Sequence, residues 1–167
     1  MAAIAELPQR RPIPSLVVAV LACVIAGASG GLFTATGLET WYPELTKPAI
    51  SPPSWVFGPV WTVLFALMGI AVWFIWRKIG DAEVRGARLA LGMFVAQFAL
   101  NVAWSAVFFG VRSILGGLVV VLVLWITIVA TVFLFDRVNR VAAALLIPYL
   151  AWVSFAGYLN YLIWTLN

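Results

Sequence analysis

Residues 41–61 have the sequence WYPELTKPAISPPSWVFGPVW, which begins in a polar loop and ends inside an apolar helix. Five of the nine prolines and three of the nine tryptophans of the chain fall in this stretch. Because proline fixes φ, a loop of this composition is stiff. It would hold Trp55 and Trp61 at the mouth of whatever the helices enclose. The stretch therefore predicts a rigid lid, residues 37–53, over a ligand site.

The rest of the chain is apolar, with 65% hydrophobic and 10% charged residues among 167. Five windows contain no Asp, Glu, Lys or Arg: 12–38, 48–76, 89–111, 113–135 and 141–167. Each can supply the roughly 20 apolar residues of a spanning helix, and none alternates polar and apolar residues as a barrel strand does. We predict an all-α membrane protein, a single five-transmembrane-helix bundle after a lead at 1–14. Its helices are expected at about 15–36, 54–77, 87–109, 114–135 and 141–165.

The basic residues fall mainly on one side of the predicted bundle. That side holds eight of them, Arg10, Arg11, Arg77, Lys78, Arg85, Arg88, Arg137 and Arg140, whereas the other side holds Lys47 and Arg112. The positive-inside rule then places the N-terminus in the cytoplasm and the lid outside, for a bacterial inner membrane. A bacterial or mitochondrial outer membrane is the alternative location. No nucleic-acid partner is expected, because these charges flank helices and form no patch.

Small residues crowd the second half of the first helix. Gly27 and Gly31 form a GxxxG pair, which lets two helices approach closely in lipid. Packing within the bundle and formation of a homodimer both fit this pattern, and we favour packing.

The third and fifth helices each carry an aromatic and polar stripe at spacings of three and four. The stripes are Gln97, Asn101, Trp104, Ser105 and Phe108, and then Tyr149, Trp152, Ala156 and Asn160, after an interruption of the fifth helix at Pro148. Polar side chains at membrane depth either pair with one another or face a cavity. Hydrogen bonds between helices and an inward-facing site are both open at this point.

The residue types present limit the chemistry. The chain has no histidine, and its one cysteine, Cys23, is expected to be a packed thiol. We therefore expect no metal site and no catalytic triad. Because no acidic residue lies inside the five windows, we also expect no proton relay. The remaining aromatic rings, amides and hydroxyls suit a flat, largely apolar ligand. Trp55, Trp61, Trp104 and Trp152 are the candidates to contact it, and simple core packing is the alternative role for each.

Three blocks of the sequence resemble one known family, the TspO/MBR family of tryptophan-rich sensory and translocator proteins. PPSWVFGPVWTVLF (52–65) resembles its P-P-x-W-x-F-x-x-x-W-x-x-L-Y/F block, and QFALNVAWSAVFFG (97–110) its Q-L-x-x-N-x-x-W-x-x-x-F-F-G block. PYLAWVSFAGYLN (148–160) resembles its P-Y-L-x-W-x-x-F-A-x-x-L-N block. The three blocks occur in the family's order and cover the chain from about residue 41 to its end.

The resemblance implies a five-helix bundle, often a homodimer, that binds porphyrins such as protoporphyrin IX and requires no cofactor. In animal members it also implies binding of cholesterol and benzodiazepine-type drugs. Carried over by motif, the ligand-binding residues would be Trp55, Phe57, Trp61, Asn101, Trp104, Tyr149, Trp152, Ala156 and Asn160. Some bacterial members degrade protoporphyrin in light, and Trp55 and Trp152 match the tryptophans implicated there.

The sequence departs from the family pattern at three places. Ile50 stands where the family often has an aromatic residue, and Ser54 stands where it usually has Arg. Tyr161 is followed by no basic residue, so the proposed sterol motif is incomplete. The expected function is therefore a membrane receptor or sensor for tetrapyrroles, with light-dependent porphyrin degradation as an open further activity. A small membrane transporter and a structural membrane protein are the alternatives.

Overall fold

The computed structural model describes residues 8–9, 11–79 and 86–167. Its five long helices are α1 (Pro12–Thr40), α2 (Phe57–Trp76), α3 (Ala87–Ser105), α4 (Ile114–Val138) and α5 (Arg140–Leu166). All five are long and apolar enough to cross a membrane, and the described ranges contain no strand. The predicted all-α five-transmembrane-helix bundle is thus confirmed. Most of the predicted lead, and Arg10 and Arg85 of the basic side, lie outside the described residues.

The first helix is longer than the predicted 15–36 at both ends. It begins at Pro12, because the first turn of a helix needs no N–H from proline. It continues to Thr40 and so makes the first four residues of the lid helical. Gly37 lies in this extension against α3, where an added Cβ would come 2.7 Å from the Cβ of Phe109. The close approach leaves no room for a side chain at this position, so a glycine fits here.

The prolines inside the later helices do not break them. Pro59 is the third residue of α2, where the backbone N–H has no partner within the helix in any case. A 3-10 turn at Ser54–Val56 precedes it, so the α-helical part of the predicted 54–77 segment begins at Phe57. The interruption expected at Pro148 was wrong, because α5 runs through this residue without a break. Helices buried in lipid tolerate proline in this way.

Neighbouring helices follow the order α1, α2, α5, α4, α3 around the bundle, and α3 closes the ring against α1. The tightest approach joins α1 and α2. A Cβ on Gly69 would lie 2.5 Å from the Cα of Val20 and 2.9 Å from the carbonyl oxygen of Ala19. One turn after Cys23 along α1, Gly27 packs in the same way against the ring of Phe65. Gly27 therefore serves packing within the bundle.

The C-terminal end of α3, which lies toward the lid, changes from α-helix to a π turn at Ala106–Gly110, which the sequence did not predict. Its two consecutive phenylalanines, Phe108 and Phe109, are both buried and meet edge to face with ring centroids 4.8 Å apart. Arg112 follows with a φ of 60°, in the left-handed region. The extra residue of a π turn shifts the direction of the side chains, and here two adjacent rings lie in the core together.

Candidate functional site

The lid is fastened to the bundle by Tyr42. This residue lies in the 3-10 turn Tyr42–Glu44 and is buried, with its ring edge to face against Phe57 at 6.4 Å. Burial raises the pKa of the Tyr42 phenol above its usual value, so the hydroxyl stays protonated. The Ser51 hydroxyl lies near enough to oppose that shift, yet it does not reach hydrogen-bond geometry. Both oxygens lack a hydrogen-bond partner among the described residues.

A second fastening joins the lid to the end of α5. The side-chain oxygen of Asn167 accepts a hydrogen bond of 3.0 Å from the Thr46 N–H, and its amide nitrogen donates one of 3.0 Å to the Thr46 carbonyl. The same nitrogen donates to the Ile163 carbonyl at 2.8 Å. One side chain thus replaces both backbone partners of Thr46, and we call this contact the latch.

A buried chain of hydrogen bonds crosses the bundle between α3 and α5. The Tyr149 hydroxyl donates to Oε1 of Gln97 at 2.8 Å and accepts from Nδ2 of Asn101 at 3.2 Å. All three side chains are buried. The series of hydrogen bonds stops at Gln97, because Nε2 of this residue has no partner among the described residues. Asn101 and Gln97 therefore do tie helices together.

A second polar pair lies nearer the lid. Nε1 of Trp104 donates to Oδ1 of Asn160 at 3.3 Å, and Nδ2 of Asn160 donates to the Ile114 carbonyl at 2.9 Å. The ring of Trp104 stacks on Phe108 with centroids 5.7 Å apart. These contacts connect α3, α4 and α5 at the lid end of the bundle.

The larger cavity lies between α1, α2 and α3 and has a volume of about 310 Å³. It is open on one side. The small residues of α1 form one wall, and the stacked rings of Trp61 and Phe65, with centroids 5.3 Å apart, belong to the other. Asn101 and Ser105 of α3 lie at its back. Asn101 therefore has both of the roles left open by the sequence, since it bonds to Tyr149 and also faces a cavity.

The smaller cavity lies under the lid and holds about 20 Å³, enough for one water molecule. The rings of Tyr42, Phe108 and Phe109 are part of its lining. Phe57 lines both cavities and forms the partition between them.

The nine predicted ligand-binding residues thus divide among several places. Phe57, Trp61 and Asn101 line the larger cavity, and Phe57, Trp104, Ala156 and Asn160 line the smaller one. Tyr149 and Trp152 line neither; Tyr149 contacts Asn101, and the ring of Trp152 meets Phe57 edge to face at 6.1 Å. Trp55 lies in the 3-10 turn before α2, is 74% exposed and lines neither cavity.

Sequence reasoning missed the contribution of α1 to the larger cavity. This helix supplies half of the lining, namely Val24, Gly27, Ala28, Gly31, Thr34, Ala35 and Leu38. Gly27, Gly31 and Ala35 recur every four residues, so they share one face of the helix. That spacing was the available signal, but from the sequence alone it indicated only helix packing, which we favour, or dimer formation.

With this geometry, the chain can be compared with known proteins. Residues 19–165 match the sequence model of the TspO/MBR family, which is most of the chain and all five helices. The chain belongs to the TspO/MBR family. It is accordingly an integral multi-pass membrane protein.

Curated TspO/MBR relatives from distant organisms support this assignment. The tryptophan-rich protein TspO of Chlorobaculum tepidum is 44% identical over 149 residues, covering 87% of this chain and 90% of the relative. The human translocator protein is 41% identical over 127 residues, covering 76% and 75%. The tryptophan-rich sensory protein of Cereibacter sphaeroides is 36% identical over 146 residues, covering 87% of each chain.

Proposed function

We propose that this TspO/MBR protein is a membrane receptor for a tetrapyrrole and holds the macrocycle in the larger cavity. The observation that carries the proposal is the shape of that cavity. A wall of glycine and alanine on α1 faces the aromatic side chains of α2 across a volume of about 310 Å³. Such a slot fits a flat ring, since aromatic faces stack and small residues let the ligand approach the backbone closely.

The volume is at the lower end of the range for small-molecule sites. A tetrapyrrole, which is larger than most drug-sized ligands, would fill the slot and project through its open side. The Asn101 amide and the Ser105 hydroxyl at the back of the cavity can bond to the polar atoms of the ring. Because the chain has no histidine and Cys23 does not line the cavity, stacking and shape would supply the affinity. Metal-free protoporphyrin should therefore bind at least as well as haem.

The test is a titration of protoporphyrin into the protein in lipid nanodiscs, followed by tryptophan fluorescence. Replacing Trp61 with Leu removes one ring of the aromatic wall and should weaken binding at least tenfold. Trp125 of α4 is partly exposed and lies outside both cavities, so Trp125→Leu is the matched control. Equal affinity of wild type and Trp61→Leu would reject the larger cavity as the binding site.

Light-dependent degradation of the bound porphyrin is a second candidate activity. Indoles near the ring support it: Trp61 lines the larger cavity, and Trp152 contacts the partition residue Phe57. An excited macrocycle can take one electron from an indole, and dioxygen would be the oxidant consumed as the ring opens. On this geometry Trp61 is the nearest donor and the exposed Trp55 the most distant of the three.

Product formation in light and in darkness separates this activity from binding. Trp61→Phe, Trp152→Phe and Trp55→Phe each keep an aromatic ring but remove an easily oxidised indole. We expect Trp61→Phe to slow the reaction most. Turnover in darkness, or rates in all three variants as fast as in wild type, would remove the tryptophans from the mechanism and leave a binding protein.

A further inference from the structure

We infer that the larger cavity opens sideways into the lipid bilayer between α1 and α2, and that its ligand enters there rather than through the lid. The opening itself is a feature of the fold, whereas the passage of a tetrapyrrole through it rests on the proposed function. Its first support is the composition of the lining. All lining residues belong to α1, α2 and α3, and none comes from residues 41–53, the non-helical part of the lid.

The second support is the way in which α1 and α2 part. On the side of the helix middles away from the lid, they touch backbone to backbone at Gly69 and Val20. Near the middle of both helices Gly27 still packs against Phe65, but Gly31, closer to the lid, does not touch α2. A Cβ built on Gly31 of α1 would meet nothing within 4 Å, and the same is true of Gly58 on α2. Both glycines are exposed and both line the cavity.

The third support is the position of these glycines along their helices. At 1.5 Å per residue, Gly31 lies about 8 Å from the middle of α1, and Gly58 about 10 Å from the middle of the Ser54–Trp76 span. The hydrocarbon of a bilayer extends about 15 Å on each side of its midplane. The gap between the two glycines therefore lies at acyl-chain depth, and α3 closes the cavity on the opposite side.

The fourth support is that the lid is closed. Tyr42 is buried beneath it, and the latch pairs Asn167 with both backbone groups of Thr46. The cavity under the lid holds only about 20 Å³, and Phe57 lies between it and the larger cavity, since it lines both. A ligand coming from the aqueous side would have to displace the latch, Tyr42 and Phe57, whereas a ligand dissolved in the bilayer meets an open side.

The experiment measures the rate at which protoporphyrin, already partitioned into nanodiscs, quenches tryptophan fluorescence. Gly31→Leu and Gly58→Leu place a side chain in the gap from either side, and the Cβ of each would meet nothing within 4 Å. Gly92→Leu is the matched control, because Gly92 is an exposed residue of α3 whose Cβ would also meet nothing within 4 Å, away from the cavity. Asn167→Ala removes the latch.

We expect Gly31→Leu and Gly58→Leu to slow association and dissociation together by about tenfold, a barrier increase of ~1.4 kcal/mol.

Gly92→Leu and Asn167→Ala should retain the wild-type rates. If Asn167→Ala instead accelerates binding while the two gap variants behave as wild type, the ligand passes the lid and the inference is wrong.

A second measurement needs no ligand. Nitroxide labels at Gly31→Cys and Gly58→Cys, in a Cys23→Ala background, should collide with dioxygen in the bilayer as often as a label at Gly92→Cys. They should be protected from a water-soluble nickel chelate. Access of nickel would mean an aqueous opening, and protection from both quenchers would mean that a second copy covers the gap; either result overturns the inference. If the labels behave as expected but protoporphyrin binds to no variant, the opening stands and the tetrapyrrole proposal fails.

Discussion

The side-chain amide of Asn101 donates a hydrogen bond of 3.2 Å to the Tyr149 hydroxyl, and the same hydroxyl donates to Oε1 of Gln97. This arrangement separates stability from binding. Tyr149→Phe would leave the Gln97 oxygen and the Asn101 amide unpaired. Each unpaired group should lower the free energy of unfolding by at most about 1–3 kcal/mol. Because Tyr149 lines neither cavity, protoporphyrin affinity of the folded fraction should remain within about twofold of wild type, a difference of ~0.4 kcal/mol.

The measurement is thermal unfolding in detergent beside the fluorescence titration. Tyr158→Phe is the matched control, since Tyr158 is exposed on the same helix. A Tyr149→Phe protein that melts like wild type but binds poorly would contradict the structural role of the hydroxyl.

Phe57 is the partition between the two cavities, so its removal should join them. Phe57→Ala is expected to lower the free energy of unfolding by at most about 3–5 kcal/mol, the usual range for a buried aromatic ring. It should also admit ligands too large for the larger cavity alone. The measurement is the affinity for a series of porphyrins with increasingly bulky substituents. Phe133→Ala, at an exposed position of α4, is the control, and an unchanged size preference in Phe57→Ala would mean that the cavities remain separate.

Asn167 holds the lid through Thr46, so Asn167→Ala should loosen the loop without unfolding the bundle. Two hydrogen bonds to the lid disappear, each worth about 0.5–1.5 kcal/mol. Amide hydrogen exchange at Thr46 and its neighbours should accelerate, while exchange within α4 stays as in wild type. The neighbouring Thr165→Ala is the control, because the Thr165 hydroxyl bonds only to its own helix. Unchanged exchange at Thr46 would show that Tyr42 alone fixes the lid.

The distribution of basic residues predicts the orientation of the bundle, and single cysteines can test this prediction. Glu44 lies in the lid turn, and Asp136 lies at the other end of the bundle, near the end of α4. In a bacterial inner membrane, Glu44→Cys should react with a membrane-impermeant maleimide from the periplasmic side and Asp136→Cys only after permeabilisation. The buried Cys23 contributes little background. The reverse pattern would invert the topology.

The sequence predicted the five helices because uncharged windows of spanning length have few other structures available in lipid. It left open whether Asn101 joins two helices or faces a cavity, and the structure has Asn101 doing both. It could not predict that Trp55 would be exposed while Phe57, two residues later, divides two cavities. That outcome depends on the 3-10 turn at Ser54–Val56, which sets the direction of each side chain and leaves no periodic signal.

The glycine face of α1 shows a different limit. Gly27 and Gly31 have the same local sequence signature, yet one packs against Phe65 and the other faces open space. The difference arises from where α1 and α2 stop touching along their length, a property of the assembled bundle that neither helix encodes by itself. Hence the pattern indicated a close helix contact correctly but concealed half of the lining of the cavity.

The contacts of Gly69 with Val20 and of Gly27 with Phe65 join α1 and α2 up to about the middle of the two helices, whereas nearer the lid Gly31 and Gly58 meet no neighbour. The width of a gap of this kind depends on how strongly the surrounding acyl chains press on the two helices. We expect ordered, tightly packed lipids to narrow it and fluid, unsaturated lipids to widen it. The rate of ligand exchange should then follow membrane fluidity, so that this bundle would respond to the physical state of its membrane as well as to the concentration of its ligand.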